Sequence, residues 1–252
     1  DSFSEGNFHQ RIKYQSNDEE FEQITQAFNE MAETIEQLVD EVFISDLDKK
    51  DAELQLIQSQ VNPHFLYNTL SSISRLGKLG EIEKMHKMIM ELAKFYRLSL
   101  NQGEIFISIY NEIEQVKSYN NILKIKYGKK FDVTFDINPE ILNYRTVKFI
   151  LQPFVENSLE HAWFKGHLYV RIIAYQEEDH VVLKVIDNGI GMKDDIIKQV
   201  LNENEVKRGY GVHNVNERIK LHYGNSYGVE IFSIINGGTT VKITMPVLKG
   251  DK

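Results

Sequence analysis

The chain lacks features that would define several classes of protein. It has no cysteine among its 252 residues, so it can form neither a disulfide nor a thiolate metal site, and this composition suits a reducing cytoplasm. No apolar run approaches the roughly 20 residues that a membrane-spanning helix needs. No secretory signal opens the chain, which begins with Asp1 in a polar stretch. We therefore expect it to be a fragment of a longer protein.

The distribution of charge argues against nucleic-acid binding. The formal net charge is -8, and Lys and Arg are scattered along the chain rather than clustered. Hydrophobic residues make up 42% of the chain, which is enough for at least one sizeable core. A length of 252 residues suits two compact units with connecting helices.

The first hundred residues carry apolar stripes at helical spacing. Two segments have apolar residues spaced 3, 4, 3 and 4 along the chain. They are Phe28, Met31, Ile35, Leu38 and Val42 in one segment, and Ile82, Met85, Ile89, Leu92 and Tyr96 in the other. A third stripe lies between them and ends at a break over Gly77–Gly80. We predict a helical lead-in over 1–45 and an antiparallel hairpin over 46–102, which pairs with a second copy into a four-helix bundle because one hairpin cannot bury both stripes.

The pattern over residues 108–250 mixes helices and strands. Helices are predicted over about 109–126, 146–162 and 212–223, and strands over 131–137, 168–175, 180–186, 228–235 and 239–246. The stretch 187–211 is rich in Gly, Asp, Asn and Lys and is predicted to be a long loop. This succession predicts an α+β sandwich whose sheet is covered on one face. The fold class is therefore multidomain, with an α part and an α+β part.

A histidine follows a proline inside the second helical stripe. Pro63 in a helix costs about 3 kcal/mol, which indicates a local shape that serves a purpose. The imidazole of His64 is a competent nucleophile near neutral pH. Asn68 lies one turn further on the same face, where its amide could orient a water that removes a phosphoryl group. On spacing alone, His64 could also be an ordinary surface residue beside a harmless kink.

Two motifs in the second part carry groups suited to a nucleotide. Asn157 and His161 are four apart on a predicted helix, so they share a face, and an amide oxygen suits Mg²⁺. Asp187 follows a strand and precedes Gly189 and Gly191. Its carboxylate can accept the hydrogen bonds of a purine amino group, and the glycines allow a close approach of the backbone to a ligand. Either motif alone could be an ordinary helix surface or turn.

Two further motifs are rich in glycine. Gly209 and Gly211 open a predicted helix that includes Asn214, and amides at a helix N-terminus bind phosphate. A glycine pair before Thr239 introduces the last strand. A plain helix start and a hairpin turn would explain each motif taken singly.

These motifs together resemble a known family. The eleven contiguous residues Gln60–Leu70 resemble the phosphoacceptor box of LytS/YesM-type sensor histidine kinases. The four later motifs, within about 90 residues and in this order, resemble the N, G1 and G2 boxes and the terminal Gly-Thr of the GHKL (Bergerat-type) ATP-binding fold, which histidine kinases share with gyrase B. The resemblance implies a phosphotransfer hairpin followed by a GHKL α/β sandwich over 108–250. It also implies ATP-dependent phosphorylation of His64 in a homodimer, then transfer to an aspartate of a separate response regulator.

The resemblance assigns roles to individual residues. Asn157 is implied to bind Mg²⁺, His161 to lie near the phosphates, and Asp187 to read adenine. Asn68 is implied to have a phosphatase role, and 193–208 to be a mobile lid over ATP. The full set of implied ATP-binding residues is Asn157, His161, Asp187, Gly189, Gly191, Gly209, Gly211, Asn214 and Thr239.

A weaker resemblance lies near the start of the chain. Asp18–Glu20 and Phe28–Met31 resemble the second half of a HAMP linker, which joins membrane helices to kinase helices. It implies a membrane segment upstream and a location on the cytoplasmic side of the cell membrane. Phe21 stands where the family usually has Gly, and a plain coiled-coil lead-in is the alternative.

The proton acceptor for the histidine is not evident from the sequence. Many histidine kinases have an acid directly after the histidine, but Phe65 occupies this position, and Glu156 is one candidate. The enzymatic alternative is a GHKL ATPase, in which a glutamate four residues before the metal-binding asparagine activates water. Pro153 stands at that position and disfavours hydrolysis. A scaffold without activity is the other alternative, disfavoured because His64, Asn157 and Asp187 are all present.

Overall fold

A computed structural model describes residues 28–34, 63–100, 104–162, 166–201 and 210–250 of the chain. Contacts divide the chain into one unit over 1–61 and a second over 62–252. In the first unit, residues 28–34 form helix α1. The acidic motif of the HAMP-like segment lies outside the described residues. Among the described helices, none combines the length and hydropathy that a bilayer crossing requires.

A helical hairpin is confirmed over residues 63–100, and the predicted first part over 46–62 lies outside the described residues. Helix α2 runs over Pro63–Lys78 and helix α3 over Ile82–Leu100. Gly80 makes the turn with a φ of +72°, a conformation that glycine adopts without steric cost. The backbone N–H of Glu81 then donates to the carbonyl of Leu76 at 3.0 Å and closes the end of α2. The pairing of two hairpins into a four-helix bundle stays a prediction.

The second unit contains a mixed five-stranded sheet. Its strands lie in the order β2-β4-β5-β7-β6, with β2 and β4 parallel and the other neighbours antiparallel. The strand bounds are β2 Phe131–Ile137, β4 Leu168–Glu177, β5 His180–Asp187, β6 Gly228–Ile234 and β7 Gly238–Pro246. A separate pair is formed by β1 Phe106–Ser108 and β3 Arg145–Val147. The sheet and the helices that pack on it form the predicted α/β sandwich.

Helices pack on the sheet through residues at the expected spacings. Their bounds are α4 Ile109–Tyr127, α5 Gln152–Asn157, α6 Asp194–Leu201 and α7 Tyr210–Tyr223. Alternate residues of β4 from Leu168 to Ala174 are buried, which is the pattern of a strand with one covered face. Ile113 and Val116 of α4 belong to the same core. Apolar burial of this kind holds the unit together at roughly 25 cal/mol per Å² of buried apolar surface.

Three details of the sequence prediction are wrong. The helix expected from about 146 is preceded by strand β3, begins at Gln152, and widens into a π-helical turn over Ser158–Ala162. The loop expected over 187–211 contains helix α6, which buries Val200 despite its polar surroundings. Strand β1 was not among the predicted strands. Each missed element is three to eight residues long, too short for a clear periodic signal.

A buried glutamate fixes the segment that leads into α5. Glu112 of α4 is only 1% exposed, and its carboxylate accepts hydrogen bonds from the backbone N–H groups of Phe149, Ile150 and Leu151 at 2.8–2.9 Å. Burial raises the pKa of Glu112, whereas these three hydrogen bonds and the charge of Arg218 act in the opposite direction. The guanidinium of Arg218 also donates to the carbonyl of Lys148 at 2.8 Å. One carboxylate thus joins α4, the start of α5 and helix α7.

We expect Glu112→Gln to lower the free energy of unfolding by about 1–3 kcal/mol, because an amide nitrogen cannot accept a hydrogen bond and leaves a buried N–H unpaired. Urea unfolding followed by circular dichroism, at fixed protein concentration, measures the change. The control is Glu83→Gln on the exposed side of α3, which should change the same free energy by less than about 0.5 kcal/mol. Equal unfolding midpoints for the two variants would contradict this account of Glu112.

Candidate active site

The carboxylate of Asp187 is held in one orientation at the end of β5. Its Oδ1 accepts from the backbone N–H groups of Gly189 at 2.9 Å and Thr239 at 3.2 Å, and its Oδ2 accepts from the hydroxyl of Ser158 at 3.1 Å. Burial raises the pKa of Asp187, and these hydrogen bonds lower it. The side chain is only half-buried, so Oδ2 keeps capacity to accept a further hydrogen bond from a ligand.

Two glycines that lie close to Asp187 in space, Gly191 and Gly238, leave no room for a Cβ atom because the protein backbone packs against them. A Cβ on Gly191, whose φ is +67°, would lie 2.0 Å from the carbonyl oxygen of Ile234. A Cβ on Gly238, whose φ is +90°, would lie 2.0 Å from the carbonyl oxygen of Asp187. The loop after β5 therefore packs directly on the β6–β7 turn, where the N–H of Asn236 also donates to Ile190 at 2.7 Å. Gly191 serves this packing, a requirement that the sequence did not reveal.

The N-box helix α5 and the glycine-box helix α7 lie against each other. A Cβ on Gly211, in the first turn of α7, would be 3.3 Å from Cβ of Pro153 and 3.9 Å from Nδ2 of Asn157. The Asn157 amide is partly exposed and has no hydrogen-bond partner among the described residues. An amide beside a glycine-opened helix fits a Mg²⁺ ion that also binds phosphate oxygens. Within the described ranges, no cluster of three or more His, Asp or Glu side chains could hold a metal ion.

The other residues predicted to bind ATP lie on separate elements of the fold. His161 is largely exposed on the π-helical turn, so the α-helical spacing that would align it with Asn157 does not continue. Asn214 is exposed on α7. The hydroxyl of Thr239 lies 2.9 Å from that of Ser233. Gly209 and the second half of the predicted lid lie outside the described residues.

His64 is exposed in the first turn of α2, with Asn68 beside it. Nδ2 of Asn68 lies 3.1 Å from Nε2 and 3.3 Å from Nδ1 of the imidazole. The two side chains thus share a helix face, as their spacing predicts. The Asn68 amide is therefore within reach of a group bonded to the His64 ring.

His64 shares a cavity with the N-box helix. The cavity has a volume of about 120 Å³, and His64 and Asn68 are among the residues that line it. Glu156 of α5, Glu160 of the π-helical turn and Lys126 of α4 line the same cavity. The hairpin histidine and an acid next to the proposed Mg²⁺ ligand therefore face the same space.

A polar network that the sequence analysis missed supports the acid in this cavity. Nε2 of Gln152 donates to the carboxylate of Glu156 at 2.9 Å, and Tyr119 of α4 lines the same cavity. Nε2 of Gln115 in turn donates to Oε1 of Gln152 at 3.0 Å. The sequence does hold a signal for these residues. Gln115 and Tyr119 are four residues apart on α4, and Gln152 and Glu156 are four apart on α5, so each pair lies on one face of its helix.

Two protein families match consecutive parts of the chain. The family described as "Histidine kinase" matches residues 52–131, and the family described as "Histidine kinase-, DNA gyrase B-, and HSP90-like ATPase" matches residues 143–249. The "Sensor histidine kinase YesM" of Bacillus subtilis is 34% identical over 221 residues, covering 87% of this chain and 37% of that protein. The "Sensor protein LytS" of Bacillus anthracis is 28% identical over 209 residues, covering 81% of this chain and 35% of that protein.

A solved structure is similar to part of the chain. The catalytic domain of the histidine kinase ThkA superposes with a TM-score of 0.47 at 15% identity, covering 57% of this chain and 97% of that domain. The chain spans about a third of the length of the curated relatives it matches. The two family matches and these curated relatives show that the chain contains a histidine kinase domain and a GHKL-type ATPase domain similar to those of the LytS/YesM-type sensor histidine kinases.

Proposed function

We propose that this chain is the catalytic core that phosphorylates His64 from ATP. The observation that carries the proposal is the cavity shared by His64 and Glu156, beside an ATP-binding fold whose Asp187 and Asn157 are positioned by neighbouring strands and helices.

The proposed reaction needs one nucleophile and one proton acceptor. The lone pair of a neutral imidazole nitrogen of His64 attacks the γ-phosphorus, and the bond from phosphorus to the bridging oxygen breaks to release ADP. The proton on the other ring nitrogen passes to the carboxylate of Glu156, which leaves a neutral phosphohistidine ring. Burial raises the pKa of Glu156, and a carboxylate with a raised pKa is a better base near neutral pH.

The ATP-binding domain supplies positioning and charge neutralisation. Mg²⁺ held by Asn157 would neutralise charge on the phosphates. The carboxylate of Asp187, oriented by Ser158, Gly189 and Thr239, would accept a hydrogen bond from the amino group of adenine. Because these hydrogen bonds already hold the Asp187 carboxylate in one orientation, it need not reorient when the substrate binds.

The wider assembly is also part of the proposal. Large apolar side chains remain exposed on both hairpin helices, which supports a homodimer built on the hairpin. They are Tyr67, Leu70, Ile82, Ile89 and Met90. The exposed His64 would then pass its phosphoryl group to an aspartate of a response regulator, and Asn68 would assist phosphatase activity. The full-length protein would be held on the cytoplasmic side of the membrane by a segment upstream.

Asp187→Asn should weaken ATP binding by at least about tenfold, because the amide replaces an acceptor with a donor opposite the adenine amino group. Isothermal titration calorimetry with ATP and Mg²⁺ measures this affinity. Asp179→Asn, in the exposed β4–β5 turn at the other end of the sheet, is the matched control and should bind as the unaltered chain does. An unchanged affinity in Asp187→Asn would remove this residue from the nucleotide site.

Incubation with γ-labelled ATP and Mg²⁺ should place acid-labile, base-stable label on the unaltered chain and none on His64→Gln. Asn157→Ala should lose most of the label because the Mg²⁺ ligand is removed. His86→Gln, an exposed histidine on the other hairpin helix, is the control and should keep the label. Label persisting on His64→Gln, or release of free phosphate without any labelled protein, would overturn the proposed function, the second result in favour of an ATPase.

A further inference from the structure

The hydroxyl of Ser233, on edge strand β6, makes three hydrogen bonds close to Asp187. It accepts from the backbone N–H of Met192 at 2.8 Å and donates to the carbonyl of Gly238 at 3.0 Å. Its oxygen also lies 2.9 Å from the hydroxyl oxygen of Thr239. A serine hydroxyl has one proton and two lone pairs. Because that proton goes to Gly238, the hydroxyl of Thr239 donates to Ser233, and every hydrogen-bonding group of Ser233 has a partner.

Two of these partners belong to the segments that orient the carboxylate of Asp187. Thr239 donates its backbone N–H to Oδ1 of Asp187 at 3.2 Å. Met192 ends the short loop in which the N–H of Gly189 donates to the same oxygen at 2.9 Å. Ser233 therefore connects the two segments that supply both backbone donors to Oδ1, although it does not itself contact Asp187.

The same two segments also touch through their backbones. The N–H of Asn236 donates to the carbonyl of Ile190 at 2.7 Å, and a Cβ on Gly191 would lie 2.0 Å from the carbonyl oxygen of Ile234. These contacts bring the loop after β5 against the β6–β7 turn. Among the described residues, however, only the hydroxyl of Ser233 accepts the N–H of Met192. Loss of that hydroxyl would leave this end of the loop without its hydrogen bond.

We propose that Ser233 is a positioning residue for nucleotide selectivity, whose hydroxyl keeps the carboxylate of Asp187 in the orientation that accepts a hydrogen bond from the 6-amino group of adenine. The inference rests on the proposed function, in which Asp187 reads adenine. Hypoxanthine has a carbonyl oxygen in place of that amino group and cannot donate there. The binding of a hypoxanthine nucleotide should therefore depend much less on Ser233.

The test compares ADP with inosine diphosphate as ligands of the whole chain in the presence of Mg²⁺, because neither nucleotide carries a γ-phosphoryl group that could be transferred. Isothermal titration calorimetry measures both affinities. We expect Ser233→Ala to weaken ADP binding about three- to tenfold and inosine diphosphate binding less than about twofold, so that the preference for adenine falls. Ser226→Ala, exposed in the turn before β6, is the control and should keep both affinities.

The Asp187→Asn background tests whether Ser233 acts through Asp187. In that background, Ser233→Ala should change the remaining ADP affinity by less than about twofold, because the group that it orients is already lost. Ser233→Cys keeps nearly the size of serine but has a poor hydrogen-bonding group. It should show the same loss of preference and replaces the alanine variant where that variant does not fold.

A purely structural role would weaken both nucleotides alike. Equal weakening of ADP and inosine diphosphate, unchanged ADP binding, or the same loss of ADP affinity with and without Asp187 would therefore overturn the proposal. An unaltered chain that binds the two nucleotides equally well would instead overturn the role of Asp187 within the proposed function.

Discussion

The packing of the hairpin against α4 is the contact on which the proposed chemistry depends. Phe65, Phe95 and Tyr119 bury their rings together at this contact, and Lys94 forms an ion pair with Glu114 at 2.6 Å beside them. The aromatic cluster carries most of the stabilisation, because a partly exposed ion pair contributes less than about 1 kcal/mol. Without this contact, His64 would lie on an isolated helix, far from any group that could accept its proton.

The same contact accounts for an unusual residue choice next to the histidine. Phe65 stands where many histidine kinases carry an acid, and it is buried as the anchor of the hairpin. In the proposed mechanism the acid comes instead from α5, whose start is held by the carboxylate of Glu112 through three backbone N–H groups. A buried charge of this kind is tolerated only because it is fully hydrogen-bonded. In that mechanism the proton acceptor is supplied by a different helix of the same unit.

The sequence predicted the hairpin, the main strands of the sheet and the order of the motifs, because these features depend on periodicity and on contiguous residues. It did not predict that Gly191 packs against the carbonyl of Ile234, or that Tyr119 packs against Phe65 and lines the same cavity as Glu156. Those contacts join positions far apart in the chain, and an apolar ring at helical spacing looks the same whether it fills a core or lines a cavity. Glu156 was named as a candidate base from the sequence. Only the tertiary structure shows that it accepts a hydrogen bond from Gln152 and lines the same cavity as His64.

The most direct test of the central claim is to fix the hairpin on α4 and measure phosphorylation of His64. The chain has no cysteine, so Lys94→Cys with Glu114→Cys provides the only two thiols, which a short bifunctional thiol reagent can bridge reversibly. The account predicts that the bridged chain forms phosphohistidine on His64 at a rate comparable to that of the same chain after reduction. A bridged chain that binds ATP but forms phosphohistidine only after reduction would contradict it, because the docked arrangement would then be an inhibited state.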